Sequence, residues 1–429
     1  MSNDSVQSVR RRRVFYIPGY DPIHPRRYRE LYRKEGAAQA AISGYEIALA
    51  AKRAGGPYGW HVSATQDGQT VEADVEVLIW SDIVRDSMGA GIVATYGQLL
   101  RTAWTYIASG AILRLARLRK GPTIAALYPI VALILQALIG ALAGGALAAL
   151  VLALLPDFPL DALLGLALGA GSLALTLRWF RRHDGRFYAY YLMHDYAFTA
   201  RWGGANPPAL EARMAAFRAT IAQALTEDWD EVLVVGHSSG AHLAVSILAD
   251  LIRELPPSSV QKYPGESWRS HDGAEPPATP ATGPALSFLS LGQVVPMVSY
   301  LPRATRLRGD LRYLSARPEL TWVDVTAPGD GCAFALCDPV AVSGVAPPDQ
   351  RHPLILSAAF TQTLTPETWA RLRWRFFRLH FQYLCAFDRP GDYDYFRITA
   401  GPLTLAERYA GRGHSKSRIT RAANRFTDT

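Results

Sequence analysis

A run of 33 residues without a charged side chain, from Thr123 to Leu155, constrains this 429-residue chain more than any other feature. A helix of about 20 apolar residues is long enough to cross the hydrocarbon core of a bilayer. The segment Pro156 to Asp161 interrupts the apolar sequence, and a second uncharged run extends from Ala162 to Leu177. A buried helix pair in a soluble core is the alternative, but the length of the first run favours two transmembrane helices, at about residues 124–155 and 160–180.

Basic residues lie at both outer ends of this apolar pair. They are Arg114, Arg117, Arg119 and Lys120 before it, and Arg178, Arg181 and Arg182 after it. Because positive charge marks the cytoplasmic side, we predict a multi-pass membrane protein with the rest of the chain in the cytoplasm. Near the N-terminus, the stretch Val14 to Ile17 is too short for a signal peptide. Close approach of the two helices would use glycines in both runs, namely Gly140, Gly144, Gly145, Gly165, Gly169 and Gly171.

The composition excludes a chain that is disordered throughout, and the charge distribution distinguishes between nucleic acid and a bilayer as partner. Hydrophobic residues make up 49% of the sequence and charged residues 19%, with a net charge of +8. A positive charge of this size is compatible with nucleic-acid binding. The arginines, however, concentrate at the N-terminus, beside the apolar runs and in the C-terminal tail, which favours a bilayer as partner and not nucleic acid.

Three cysteines, Cys332, Cys337 and Cys385, are too few and too irregular for a disulfide framework. Cys332 and Cys337 could form a metal pair, but no second pair with zinc-site spacing is present in the sequence. We therefore expect small buried residues in a reducing compartment, and no metal or other cofactor.

Outside residues 85–200, strand and helix patterns alternate, and this predicts an α/β fold with a mostly parallel sheet flanked by helices and an antiparallel edge. Short β-rich runs predict the strands, and longer runs with few breakers predict the helices. The predicted strands are Val14–Ile17, Trp60–Gln66, Val75–Trp80, Glu231–Val235, Leu286–Leu291 and Leu320–Val325, and the predicted helices are Arg26–Ala54, Pro208–Leu225, Ala241–Leu255, Arg303–Leu314 and Pro366–Leu384.

The pentapeptide Gly236-His237-Ser238-Ser239-Gly240 matches G-x-S-x-G, the nucleophile elbow. A strand leads into it and a helix leads out of it, as the motif requires. The serine occupies a strained corner, and the glycines two residues before and after it avoid a collision. A Gly-rich turn with an idle serine is the alternative. The sequence therefore predicts Ser238 as a nucleophile and elbow glycines at Gly236 and Gly240, whereas neither His237 nor His242 is expected to be its base.

Here the chain resembles the α/β-hydrolase superfamily, of the lipase and esterase type, over Val14–Trp80 and Pro208–Phe387. The resemblance implies the chain order serine, acid, histidine, with the acid after a late strand. Asp330 fits this position, Asp338 is a second candidate, and Asp324 lies inside the strand as a structural residue. For the base, we prefer His380, with His352 in a polar loop as the alternative. No obvious strand precedes His380, which departs from the pattern.

The resemblance also implies two backbone donors to an oxyanion. One is the N–H of Ser239, and the other is the N–H of Tyr20, in the turn Ile17-Pro18-Gly19-Tyr20. An ordinary Pro-Gly turn is the alternative for the second donor.

On this interpretation, residues 1–84 and 201–400 form a hydrolase core with a flexible loop at about 256–284. Residues 85–200 form a membrane insertion, in which Ile92–Leu118 could lie on the interface, and 401–429 form a basic tail. The expected function is that of a membrane-anchored serine hydrolase, cleaving an ester that could be a lipid through an acyl-enzyme. The alternatives are a non-catalytic membrane adaptor with the same fold and a tethered esterase for soluble substrates.

Overall fold

The structure is a computed structural model, and it describes residues 9–52, 55–89, 91–154, 161–255 and 283–429. The turn between the two apolar helices, residues 155–160, lies outside the described residues. So does almost all of the loop predicted at about 256–284.

The described residues contain an eight-stranded sheet in the order β2-β3-β4-β1-β5-β6-β7-β8. Strand β1 pairs in parallel with β4 and β5, and β5 to β8 continue the parallel part. Strands β2 and β3 form an antiparallel edge beside β4. The predicted α/β fold with a mostly parallel sheet is thus confirmed. The strands are β1 Arg11–Ile17, β2 Glu46–Ala51, β3 Gly59–Gln66, β4 Gln69–Val77, β5 Glu231–His237, β6 Ala285–Leu291, β7 Thr321–Thr326 and β8 Leu354–Ser357.

The central strands are apolar because helices cover both faces of the sheet. Along β1, Val14 and Tyr16 point into one hydrophobic core, while Phe15 and Ile17 point into a second core on the opposite face. Every residue of β5, β6 and β7 is buried. The parallel strands end at one edge of the sheet, where their connecting loops can bring distant residues together.

Helices follow the strands and also fill the region between β4 and β5. They are α1 Arg26–Ser43, α2 Ser81–Ser87, α3 Ile92–Ala108, α4 Ala111–Leu118, α5 Lys120–Leu154, α6 Asp161–Arg182, α7 Asp184–Phe187, α8 Ala189–Ala200, α9 Pro208–Ala224, α10 Ser239–Glu254, α11 Val295–Ser299, α12 Thr305–Ser315, α13 Pro339–Val342, α14 Phe360–Thr363, α15 Pro366–Leu372, α16 Phe376–His380, α17 Tyr395–Ala400 and α18 Leu405–Arg408, with a short 3-10 helix at Gln382–Leu384.

The prediction of a helix at Arg26–Ala54 is wrong for the residues after Ser43. Helix α1 ends at Ser43, and Gly44 follows with a left-handed backbone at φ 72°. A glycine adopts this conformation without the penalty that a side chain brings, so it ends the helix. Residues Glu46–Ala51 then pair with β3 as the edge strand β2.

Two further predictions, both for the segment around His380, are wrong. The segment before His380 does contain a strand, because β8 pairs in parallel with β7. The helix predicted over Pro366–Leu384 is broken into α15, α16 and the 3-10 turn. Helix α15 ends at Leu372, and Arg375, in a non-helical conformation, precedes α16. This break brings His380 to the end of a short helix.

Helices α5 and α6 are each long and apolar enough to span a membrane. In the most apolar part of each helix, only 11% and 6% of the residues are buried in the protein. The two helices lie antiparallel, and a side chain at Gly144 would come 2.5 Å from the carbonyl oxygen of Gly169. Gly145 and Gly171, by contrast, face open space. Two of the predicted glycines, Gly144 and Gly169, therefore face each other where the two helix backbones pack closely.

The interfacial segment predicted at Ile92–Leu118 forms α3 and α4, which are separated at Gly110 (φ 69°). The C-terminal tail has little regular structure after Arg408, yet it packs on the core. The N–H of Ile419 donates to Leu336 (2.8 Å), and Asn424 donates to the carbonyl of Ser299 (2.9 Å).

Candidate active site

Ser238 lies at the corner between β5 and α10, in a strained backbone conformation. Its φ of 56° and ψ of −122° are unfavourable for a residue with a side chain, and such strain costs about 1–3 kcal/mol. A Cβ at Gly240 would come 2.1 Å from the carbonyl oxygen of Ile17, and one at Gly236 would come 2.8 Å from Ala241 Cα. The chain can therefore make this corner only with glycine at both positions.

The turn after β1 closes over this corner. A Cβ at Gly19 would lie 2.9 Å from Ser238 Cβ and 3.3 Å from its Oγ, so the glycine allows the turn to approach the hydroxyl. Within the described residues, the backbone N–H groups of Tyr20 and Ser239 donate to no protein acceptor. Both predicted oxyanion donors thus flank Ser238 with their hydrogen-bonding capacity unused.

His380 and Asp330 form a short hydrogen bond. His380 Nδ1 lies 2.7 Å from Asp330 Oδ2, and both side chains are buried. Asp330 follows β7, in the turn where it was predicted, and its Oδ1 accepts from the N–H of Cys332 (2.9 Å). Its Oδ2 also accepts from the hydroxyl of Tyr383 (3.0 Å). Burial raises the pKa of Asp330, but the nearby His380 and these hydrogen bonds outweigh burial and hold the pKa below its usual value.

One cavity of about 90 Å³ joins these parts of the site. Ser238 and His380 both line it, together with Tyr20 and Ser239. The structure therefore brings together the predicted nucleophile, the preferred base and, through its hydrogen bond to the base, the preferred acid. Because the carboxylate occupies Nδ1 of His380, the Nε2 atom is the ring nitrogen left for the cavity.

His237 supports the backbone of His380. Its Nε2 donates to the carbonyl oxygen of His380 (2.9 Å), and the two rings lie 4.8 Å apart. Burial, with a smaller effect from His380, lowers the pKa of His237 to about 3. His237 therefore stays neutral and donates its ring N–H to the segment that carries His380.

The alternative candidates lie elsewhere. His352 is buried, not solvated as the sequence suggested, and it precedes β8 at the end of the sheet opposite Ser238. Asp338 caps α13 by accepting from the N–H groups of Val340 and Ala341. Asp324 is buried within β7 and accepts from Ser290. None of the three lines the cavity of Ser238.

Asp330, Cys332 and His380 are close enough to hold a metal ion, since their ligand atoms lie within 4.8 Å of one another. The hydrogen bond between Asp330 and His380 already uses one ligand atom of each. Burial, with a contribution from Asp330, raises the pKa of the Cys332 thiol well above its ordinary value. This environment disfavours the thiolate that a metal would require. Asp330 and His380 therefore fit a hydrogen-bonded pair better than they fit a metal site.

Three residues of the site were not identified from the sequence, namely His237 in its supporting role, Tyr383 and Asp195. Asp195 lies on α8, inside the predicted membrane insertion, and lines the cavity. No motif surrounds Tyr383 or Asp195, and only the fold brings them to Ser238. The one feature that Tyr383 and Asp195 share in the sequence is a polar group within an apolar stretch.

Comparisons of the chain with protein-family models, curated proteins and solved structures return no match. A function for this protein is therefore inferred from the geometry of the site.

Proposed function

We propose that the protein is a membrane-anchored serine hydrolase of the α/β-hydrolase type, which cleaves a carboxylic ester through an acyl-enzyme. The observation that carries this proposal is the strained Ser238, which shares one cavity with a histidine held by a buried aspartate. A strained corner of this kind persists only where the surrounding structure enforces it, and such corners cluster at reactive sites.

In the proposed mechanism, His380 takes the proton of Ser238 through Nε2 while the serine oxygen attacks the ester carbonyl. The N–H groups of Tyr20 and Ser239 stabilise the negative charge on the carbonyl oxygen. His380 then protonates the leaving alcohol, and water hydrolyses the acyl-enzyme. Asp330, whose lowered pKa keeps it ionised, holds the tautomer of His380 and stabilises its protonated form.

Chain order supports the hydrolase type. The serine follows β5, the acid follows β7 and the base follows β8, all beyond the carboxyl ends of parallel strands. Ligands in open parallel sheets bind at this edge. The order serine, aspartate, histidine is that of the α/β-hydrolases.

The position of α5 supports a membrane lipid or another apolar ester as substrate. Pro122, in the first turn of α5, lines the cavity, and so do Tyr191 and Leu192 of α8. The candidate membrane span therefore begins at the site. A bilayer around α5 and α6, with the catalytic core on the cytoplasmic side, would bring lipid esters next to Ser238.

Hydrolysis of p-nitrophenyl esters by the protein purified in detergent micelles tests this function. We expect Ser238→Ala to reduce kcat/KM by about 10⁴-fold or more, because removal of a nucleophile leaves only binding and the oxyanion donors. Ser417→Ala, at an exposed serine of the tail, is the matched control and should retain full activity. Equal activity of the Ser238→Ala variant and the wild type would overturn the proposal.

The same assay separates lipid from soluble substrates. An enzyme that takes its substrate from the bilayer should show kcat/KM rising with acyl chain length from acetate to decanoate. A preference for acetate would instead favour a tethered esterase for soluble esters.

A further inference from the structure

The cavity of the proposed active site contains a second carboxyl group, that of Asp195. This residue lies on α8, and its side chain is partly exposed to the space that Ser238 and His380 also line. The proposed mechanism does not use it. It comes from the insertion between β4 and β5, and not from the loops after the parallel strands.

Among the described residues, Asp195 has no hydrogen-bond donor and no ion-pair partner. Asp21, which lines the same cavity, differs in this respect. It accepts from the hydroxyl of Tyr28 (2.7 Å) and from the N–H of Ile23 (2.9 Å), and it lies 3.4 Å from Arg27. Asp195 is therefore the lining carboxyl whose hydrogen-bonding capacity remains open to a ligand.

Three nearby tyrosines do not satisfy this carboxyl, because their hydroxyls bind elsewhere. Tyr191 donates to the backbone carbonyl of Tyr20, and Tyr106 donates to that of Met297 (3.0 Å). The Tyr20 hydroxyl is paired with Ser87. Burial raises the pKa of Asp195 to about 7, with a smaller opposing effect from His380. Burial thus disfavours the charged form of this carboxyl, and an opposite charge bound beside it would stabilise that form most.

The rest of the cavity wall suits a cation. Aromatic rings make up much of the lining, and their faces attract ammonium groups. They belong to Tyr20, Tyr191, Tyr196 and Phe377. No arginine or lysine lines the cavity in the part of the chain that the structure describes. A neutral hydroxyl could bind Asp195 but would leave its charge uncompensated.

We propose that Asp195 binds an ammonium group of the substrate, so that the enzyme selects esters that carry a positive charge near the scissile bond. This inference rests on the proposed hydrolase function. It places the ester carbonyl at Ser238 and the ammonium at Asp195, within one cavity.

A matched pair of esters tests this selectivity. The choline ester and the 3,3-dimethylbutyl ester of butyric acid have nearly the same shape, and only the former is charged. We expect wild-type kcat/KM to be at least about tenfold higher for the choline ester, as one ion pair with aromatic contacts would give. Asp195→Asn should abolish this preference, so that the ratio of kcat/KM for the choline ester to kcat/KM for the 3,3-dimethylbutyl ester falls to about one.

Asp349→Asn is the matched control, because it removes the same charge from an exposed loop and should keep the preference. Choline should also slow fluorophosphonate labelling of the wild type but not of Asp195→Asn, whereas 3,3-dimethylbutanol should affect the two equally. Retained labelling of Asp195→Asn shows that the variant is folded.

Equal wild-type rates for the two esters, or a preference that survives Asp195→Asn, would overturn the inference while leaving the hydrolase function intact. A preference for the 2-hydroxyethyl ester over the choline ester would also overturn it, since Asp195 would then select a neutral donor. Absence of both ester cleavage and labelling in the wild type would contradict the proposed function itself, and the inference with it.

Discussion

Three hydrogen bonds fix the position of the Asp330 carboxylate. Cys332 donates to one oxygen, while Tyr383 and His380 share the other. The Tyr383 hydroxyl in turn accepts from the N–H of Ala327 (3.0 Å), so it links the end of β7 to the carboxylate. Because Tyr383 and His380 are buried, the carboxylate has little freedom to rotate away from the imidazole. This rigidity is what a residue that orients a base requires.

Tyr383→Phe removes this link without opening a cavity. We expect kcat/KM for a p-nitrophenyl ester to fall about tenfold, because the carboxylate loses one donor and its fixed position. The free energy of unfolding should fall by about 1–3 kcal/mol, the usual cost of leaving a buried group unsatisfied.

Tyr300→Phe is the control for this change. Its hydroxyl donates to the carbonyl of Val342 (2.6 Å), away from the site, so the variant should lose similar stability and keep its activity. Equal loss of activity in both variants would show that Tyr383 acts only through stability.

Ser238 and Asp330 could be placed from the sequence because local patterns surround them. The elbow needs two glycines at fixed spacing, and Asp330 follows a strand within a permissive Gly-Asp-Gly turn. Tyr383 and Asp195 carry no such pattern. They reach the site because separate elements pack together, and a single sequence does not encode that proximity in its local periodicity.

At the scale of elements, the contact between α5 and α6 depends on the absence of side chains. Gly144 packs against the backbone of Gly169, while Gly140 packs against Leu173 and Thr176. Helices in a bilayer gain little from hydrophobic burial against each other, so close backbone packing is the main source of their association.

Gly144→Leu should separate the two helices. We expect the variant to lose about 1–3 kcal/mol of stability, because a side chain at this position would overlap the backbone of α6. Thermal unfolding in detergent micelles measures the change. Gly145→Leu adds the same side chain into open space and should leave the melting temperature unchanged. Equal melting temperatures for the two variants would contradict this packing.

Elements with strong periodicity were predicted well, and short or edge elements were not. Strand β5 and helix α10 show clear apolar patterns, and their observed bounds lie within two residues of the predicted ones. Strand β8 has four residues, too few to show a period. Strand β2 is rich in alanine and partly exposed, so its sequence was equally compatible with a helix.

For the whole molecule, the insertion between β4 and β5 does more than supply apolar helices. Helix α8 returns to the carboxyl edge of the sheet and forms one wall of the cavity, while α5 begins beside Gly331 in the loop of Asp330. The candidate membrane region and the candidate site therefore share residues. Removal of the entire insertion would open the site, not merely release the protein from a bilayer.

Buried histidines should make the whole molecule acid-labile. Burial lowers the pKa of His194, His242 and His352 to about 4, whereas an unfolded histidine titrates near 6.5. Below pH 6.5 the unfolded chain binds protons that the native state excludes, so stability falls as the pH decreases toward 4. Each group can contribute up to about 1.4 kcal/mol per pH unit.

Melting temperatures between pH 7 and pH 5 measure this effect. His352→Gln should flatten the decrease, whereas His24→Gln, at an exposed histidine, should leave it unchanged. An identical slope in the wild type and His352→Gln would contradict the account of these buried rings.

The site at which a fluorophosphonate reacts tests the role of Ser238 as nucleophile without reference to any substrate. The purified protein is treated with the probe and digested, and the modified residue is identified by mass spectrometry. We expect one phosphonylated residue, Ser238, and loss of the adduct in Ser238→Ala. A folded protein that stays unmodified, or an adduct on another residue that persists in Ser238→Ala, would contradict it.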